Sequence, residues 1–469
     1  MNMIRLNKAA IVILVTLLTA GQLRAQRILG LSARQAVDTA LKNVTAIKNL
    51  QLDRKIQLAQ NREITGRAYP QLNGNLSLSH YFSIPVTSLP DFISPSVYDV
   101  LTKNNVNGGN GIPIVAPNSY AVIPAQFGVP WTASAGFAFE QLIFQSDVFV
   151  GLKARSASLQ YADYNIKIME DSIRGNVYRS YYSVLIVAKR LVFVNESLLR
   201  LEKLLHDQNE MYKNGFAERL DIDRTQVNLN NLKTTQSQLS NLVQLGTEAL
   251  KFAMAVPVKD SLVLTDTLST DQVKSDLLED GGFRYEDREE YNLLSTVQRL
   301  QQLDVKRNKL AYVPTMSAFW NYSRNAQRQK FNFFNTNEQW FPASVVGLNI
   351  SIPIFDGFQK QSRIQQARLN VEKTTNTIEN LQRAVDFERK AARIQVTNAL
   401  ASLDVQERNL ELAESVYNKT KIKFEQGVGS SFEIIQAEIS LEESQSNYFQ
   451  SLYDAVIAKL DYTKALGRL

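Results

Sequence analysis

The residues whose types and spacing could serve a shared purpose fall in two matching segments. Lys213-Asn214-Gly215 through Leu220-Asp221-Ile222 recurs as Glu425-Gln426-Gly427 through Phe432-Glu433-Ile434, about 212 residues further on. In each, a glycine follows a long helical pattern and an acid opens the next one. Gly215 and Gly427 fit the left-handed residue that ends a helix and turns the chain, leaving backbone exposed at a tip that a partner can read. Ser430 and Glu433 have the spacing of a capping box, and Asp221 and Glu433 both fall in a first turn, where a carboxylate favours the helix dipole. Covalent chemistry has no comparable set. Cysteine is absent and the two histidines, His80 and His206, lie far apart. Thiolate and imidazole metal sites are therefore not expected, and neither a Gly-rich phosphate loop nor a Ser/His/Asp set appears. The sequence predicts no enzyme, no cofactor and no resident metal, so energy for any transport must come from a partner.

The elements that would position these segments begin behind a leader. Met1 to Lys8 is basic, Ala9 to Ala20 is an apolar stretch of about 12 residues, and Leu23-Arg24-Ala25 precedes a cut at Gln26. Residues 1–25 read as a secretory signal peptide, too short in its apolar part for a permanent helical anchor. Of 469 residues about 444 remain, more than one compact core usually needs. The formal charge of +6 falls to about +3 without the leader, and no Lys/Arg tract is interleaved with aromatics, so nucleic-acid binding is not expected.

Long helical stripes dominate. Between Gly357 and Phe424, Ile378, Leu381, Val385, Ala392, Val396, Ala399, Leu403, Leu410, Ala413 and Tyr417 recur at steps averaging about 3.5 residues. A similar stripe runs from Gly151 to Met211, a third from Ile222 to Ala253, and a fourth from Phe432 to Leu466. Helices this long must pack side by side. Leu72–Phe82, Trp131–Ile143, Thr315–Tyr322 and Ser344–Ile354 alternate instead with period two, and aromatics (Tyr81, Phe82, Trp131, Trp320, Tyr322, Trp340, Phe341) gather near their ends. These strands suit a bilayer-crossing barrel, and equally an ordinary pair of soluble hairpins. The connection Ser83–Pro130, with seven of the twelve prolines, reads as an irregular loop in water. The run Phe331, Phe333, Phe334, Trp340, Phe341 reads as an interfacial belt or loop packing rather than a ligand surface.

Each half thus reads helix, strand, strand, very long helix, Gly turn, helix: a first repeat over 26–256, a linker over 257–284 and a second repeat over 285–469. Four strands alone cannot seal a barrel in lipid, because both edges would carry unpaired backbone groups. Other copies must supply the rest, and three copies reach twelve strands with a wide lumen.

The arrangement resembles the TolC-type outer membrane efflux protein family over essentially the whole mature chain. The resemblance is carried by Ile352-Pro353-Ile354-Phe355-Asp356-Gly357, by the paired segments Gly215–Asp221 and Gly427–Glu433, and by Tyr69-Pro70 and Val313-Pro314 before two strands. It implies an α+β membrane protein, internally duplicated, in which a long antiparallel α-helical coiled-coil barrel is continuous with a trimeric 12-stranded β-barrel of four strands per protomer. It implies a homotrimer in outer membrane lipid of a Gram-negative bacterium, with its tunnel in the periplasm, docked to a periplasmic adaptor and an inner membrane transporter.

Carried over residue by residue, the resemblance makes Asn214, Gly215, Phe216, Leu220, Gln426, Gly427, Val428 and Ser431 adaptor-contact tips. It places Asp221, Glu433, Phe424 and Gln436 at the periplasmic entrance. Helix capping alone accounts for both acids; the alternative is that three copies of Glu433 approach the pore axis and form a cation-selective ring. Gln436 stands where the family can have a second acid, Phe424 where it can have Tyr, and Gly429 where it can have Arg, so the usual polar latch is not expected. The expected function is a passive efflux exit duct. The alternatives are the outlet of a type I secretion system, on the same fold, and a structural coiled-coil protein of the periplasm, which would have no use for the strands.

Overall fold

The computed structural model describes residues 28–268, 270–274 and 282–469. The signal peptide and part of the linker lie outside the described residues. The chain divides into a helical unit (Met1–Ala59, Arg155–Gln302, Arg368–Leu469) and a strand unit (Gln60–Ala154, Leu303–Ala367), each drawing on both halves of the sequence.

In chain order the elements are β1 (Ile28–Leu31), α1 (Ala33–Asn43), α2 (Thr45–Arg67), β2 (Gln71–His80), β3 (Val86–Pro90), α3 (Ile93–Lys103), β4 (Val122–Gln126), β5 (Trp131–Phe144), α4 (Ser146–Lys213), α5 (Arg219–Ala253), β6 (Ser261–Leu264), α6 (Thr270–Lys274), α7 (Glu289–Leu310), β7 (Thr315–Arg328), β8 (Phe341–Ser351), α8 (Gln359–Glu425) and α9 (Ser431–Ala465). The order helix, strand, strand, long helix, turn, helix therefore occurs twice. At 68 and 67 residues, α4 and α8 are each long enough for roughly 100 Å. Among the described residues no helix is long and apolar enough to cross a membrane.

The helical unit is held by the predicted stripes. On α8, Val385, Ala392, Val396, Leu403 and Tyr417 are buried, and on α4 Ile173, Val177, Tyr181, Val184, Leu198 and Leu201 are buried. Toward the Gly turns, α4, α5, α8 and α9 share one apolar core that includes Leu201, Leu232, Tyr417, Ile434 and Leu441. A second core packs α1 against α4 and α5 through Ala36, Val37, Ala40, Tyr181 and Leu250. It is closed by a parallel pair, β1 on β6, with Ile28 opposite Ser261 and Leu31 opposite Leu264. Four-residue strands are too short to display a period, which is why the sequence shows neither.

The strand unit contains one four-stranded antiparallel sheet in the order β2-β5-β7-β8. All four predicted strands are present with shifted limits: β2 stops at His80, short of Tyr81 and Phe82, and the larger changes are in β7 and β8. β7 continues six residues past Tyr322, because its polar end pairs with Trp131–Phe137 of β5, and Trp320 and Tyr322 consequently lie mid-strand. β8 runs Phe341–Ser351, so Ile352-Pro353-Ile354 follows the strand.

The connection between β2 and β5 is not irregular. It carries the hairpin β3–β4 and the helix α3. Pro90 and Pro124 sit in that hairpin, which a two-stranded sheet tolerates because both of its strands are edges. Pro95 lies in the first turn of α3, where its missing N–H costs nothing. The aromatic run of the second connection is loop packing at its centre. Phe333 is buried with Ala133 and Ala326 against Trp131 and Trp340, while Phe334 is exposed.

Candidate functional site

Two regions could act, one in each unit. In the helical unit both Gly turns have the same geometry. The Phe216 N–H donates to Met211 O at 2.8 Å and the Gly215 N–H to Tyr212 O at 2.9 Å; Val428 and Gly427 donate to Lys423 O and Phe424 O, each at 3.0 Å. Gly215 and Gly427 have φ of 81° and 73°. This double bond pattern around a left-handed residue satisfies the last carbonyls of α4 and α8 and reverses the chain. Gly429 has a separate reason to be glycine. A Cβ there would lie 2.9 Å from the Phe424 backbone nitrogen, which explains why a long side chain is missing at that position. At the tips Phe216 is 79% exposed and Val428 74%, so each turn presents an apolar side chain to its surroundings. Asn214, Leu220 and Gln426 are also exposed, whereas Ser431 is buried.

The acids are held differently from each other. The Glu433 N–H donates to Ser430 Oγ at 3.2 Å, as the capping-box spacing requires. The reciprocal half is absent, because the Glu433 carboxylate reaches Lys423 Nζ at 3.3 Å on the last turn of α8. Asp221 lies in the first turn of α5, with Arg224 at 4.0 Å. The Arg224 guanidinium in turn lies over the Phe432 ring, 5.8 Å from its centroid, so the first turns of α5 and α9 meet. Phe424 is half-buried against the shared core, and Gln436 is exposed.

Above the tips lies a junction that no sequence motif marks. Arg200 of α4 donates to both oxygens of Glu438 of α9, with Nε at 3.1 and 3.2 Å and Nη2 at 2.9 Å. Its Nη2 also donates to Ser197 Oγ, and Tyr417 of α8 lies beneath the guanidinium at 5.4 Å. Burial, and then the Glu438 charge, push the Tyr417 hydroxyl up to about 12. The signal was present in the sequence. Glu438 falls on the stripe of Ile434, Ile435 and Leu441, and an acid on a buried stripe needs a cation facing it.

In the strand unit, register sorts the side chains into two unlike faces. Leu72, Phe139, Trp320 and Val346 form one row across the four strands, and Gly74, Phe137, Tyr322 and Ser344 the next. Phe137 packs on Trp320 and Tyr322 at 5.3 and 5.4 Å between ring centroids. The opposite face reads Asn73, Ala138, Asn321 and Val345, then Asn75, Gly136, Ser323 and Ala343, then Ser77, Ser134, Asn325 and, at its rim, Phe341. On the apolar face Leu72 is 68% exposed and Val346 79%. An exposed apolar band backed by an amide-and-hydroxyl face suits hydrocarbon on one side and water on the other.

Residues 296–468 match the family model described as outer membrane efflux protein. Over its second half the chain thus resembles the outer membrane efflux proteins. It is 21% identical to the outer membrane protein TolC of Vibrio cholerae over 343 residues, which cover 72% of this chain and 77% of that one. Two solved structures share its fold. One is CusC, described with the changes that accompany its folding and transmembrane channel formation (TM-score 0.72, 15% identity, 93% of this chain and 92% of that one). The other is the open state of the MtrE outer membrane channel of Neisseria gonorrhoeae (TM-score 0.64, 14% identity, 93% and 88%). The duplicated Gly turns and the two-faced sheet are therefore parts of a known fold, to which this chain adds the Arg200–Glu438–Tyr417 junction.

Proposed function

We propose that this protein is a passive outer membrane channel, the exit duct of a tripartite efflux system. A periplasmic adaptor and an inner membrane transporter complete the path and supply the energy. The observation that carries this reading is the sheet, which has an apolar and a polar face and two unpaired edges. Because each neighbouring pair is antiparallel, β8 runs opposite to β2. The β8 edge of one copy can thus accept the β2 edge of the next as one more antiparallel pair. Three copies give a closed barrel of twelve strands, which leaves no unpaired backbone in lipid. Exposed apolar residues on the long helices, among them Phe387, Ile394 and Leu412 of α8 and Leu245 and Phe252 of α5, supply surface for the same association.

Within this duct the two Gly turns are the adaptor contacts, with Phe216 and Val428 as apolar anchors and Asn214, Leu220, Gln426 and Ser431 around them. Asp221, Glu433, Phe424 and Gln436 stand at the periplasmic entrance, where the Lys423–Glu433 pair takes the place of a longer polar latch. The two halves, 26–256 and 285–469, are repeats joined by the linker 257–284.

A cysteine-free chain makes the test direct. Cysteines placed in turn at Leu72, Leu76 and Leu78 of β2 and at Val345, Val346 and Leu348 of β8 should yield oxidised covalent trimers for one paired register and none for either cysteine alone. The purified protein should also conduct ions across a planar bilayer. A detergent-stable monomer that forms no covalent ladder and carries no current would overturn the proposal.

A further inference from the structure

On the polar face of the sheet one row differs from the rest. Gln71, Glu140, Phe319 and Gly347 stand side by side across β2, β5, β7 and β8. Every other side chain on that face is uncharged. The remaining charged residues of the four strands besides His80, Arg324 and Arg328, belong to the rows of the apolar face, paired with Ala135 and Trp131. Both arginines are engaged locally, Arg324 with the Tyr322 hydroxyl at 3.3 Å and Arg328 with Gln339 O at 2.6 Å. Glu140 is exposed, and its carboxylate is in no ion pair among the described residues.

Phe319 is its direct cross-strand partner, so the two Cβ atoms are on the order of 5 Å apart and point to the same side. Gly347 keeps that arrangement open. A Cβ at 347 would come within 2.6 Å of the Phe319 ring, so the ring lies flat over the glycine on the polar side of the sheet rather than standing off it. The result is a carboxylate beside an aromatic ring, on an otherwise uncharged surface where amides and hydroxyls alternate with small and apolar side chains.

We propose that Glu140 and Phe319 form a cation-selecting station inside the barrel, which favours cations over anions and retains organic cations in particular. The proposal rests on the channel reading above, since only closure of the barrel turns the polar face into a lumen and brings three copies of the row to one level. An unpaired carboxylate attracts cations of any kind, with a reach set by the Debye length, about 10 Å at 0.1 M salt and about 3 Å at 1 M. An adjacent aromatic ring adds attraction for large, weakly hydrated cations, such as quaternary ammonium or phosphonium ions. Glu433 at the tips belongs to the other unit and can be varied separately.

The experiment is a reversal-potential measurement in a KCl gradient, on the full chain in planar bilayers. Because the chain has no native cysteine, Glu140→Cys can be modified after assembly, with correct folding already established. The unmodified variant should lose most of the cation preference at 0.1 M salt. A negatively charged thiol reagent should restore it and a positively charged one should invert it, and all three differences should shrink at 1 M. Phe319→Leu should leave the K⁺/Cl⁻ ratio unchanged while weakening block by tetraphenylphosphonium about two- to fivefold. A conducting channel whose ion preference ignores the charge at position 140 overturns the station and leaves the channel reading standing. A protein that never conducts overturns the channel reading itself, and the station with it.

Discussion

Arg200 grips both carboxylate oxygens of Glu438, joining a helix of the first half of the chain to a helix of the second. The Glu438 side chain is 4% exposed and that of Arg200 25%. Removing either charge would leave its partner buried and unpaired, which is the costly way to break such a bridge. Eight residues closer to the tip, Gln208 of α4 is fully buried, and neither of its amide atoms has a hydrogen-bond partner among the described residues. Packing between the four helices is thus firmly tied at one level and electrostatically unsatisfied at the next.

Glu438→Ala should accordingly destabilise the helical unit by about 3 kcal/mol. Arg200→Met combined with Glu438→Leu should recover most of that loss, because no charge is then stranded. Denaturant unfolding of the unaltered protein, Arg200→Met, Glu438→Leu and the double variant as a double-mutant cycle measures the coupling, and simple additivity would contradict a cooperative bridge.

Glu442, one turn beyond Glu438 on α9, gives a pH prediction. Burial, and then repulsion from Glu438, raise its carboxyl above the usual range, opposed by Arg190. The folded state therefore holds this proton more tightly than the unfolded state does. Its contribution to stability is complete below the ordinary carboxylate pKa and is lost as pH rises through the raised value. Glu442→Gln should raise the unfolding midpoint at pH 7 and leave it unchanged near pH 4, which a pair of thermal melts can check.

At the tips, Gly215→Ala and Gly427→Ala should each cost about 1–2 kcal/mol of local stability, because φ is positive at both. Gly429→Ala should cost a similar amount for a different reason, its contact with the α8 backbone. Ala217→Gly, at the matching place in the first turn, should be tolerated. Hydrogen exchange of the amides around each turn reports these changes individually.

Lys423 and Glu433 form an exposed pair, with side chains 55% and 49% accessible, so Glu433→Gln should change stability by less than about 1 kcal/mol. If three copies of Glu433 ring the entrance, single-channel recordings of the same variant should nevertheless show weaker block by divalent cations. Unaltered block would remove Glu433 from the entrance.

How much of this was legible in the sequence depended on length. Stripes of ten or more positions, such as Val385 to Tyr417, set the long helices because repetition averages out local noise. The strands were found for the same reason, yet their limits moved, since pairing with Trp131–Phe137 carries β7 through a stretch of polar residues that has no apolar alternation. The β3–β4 hairpin was hidden by Pro90 and Pro124, which argue against a strand unless both partners are edges. The conformation of Gly215 and Gly427 was read correctly because a left-handed turn is a local demand. Arg200, Ser197 and Tyr417 were not, since nothing local links residues brought together from three helices.

The directions of β2 and β8 have a consequence for biogenesis. A sheet whose last border always welcomes another first border carries no instruction to stop at any particular number, so only curvature limits its growth. A copy without neighbours is thus a sticky tile, as ready to stack into an endless ribbon as to close a ring. On the channel reading proposed above, this region must stay unpaired until a lipid surface and its sister copies are at hand.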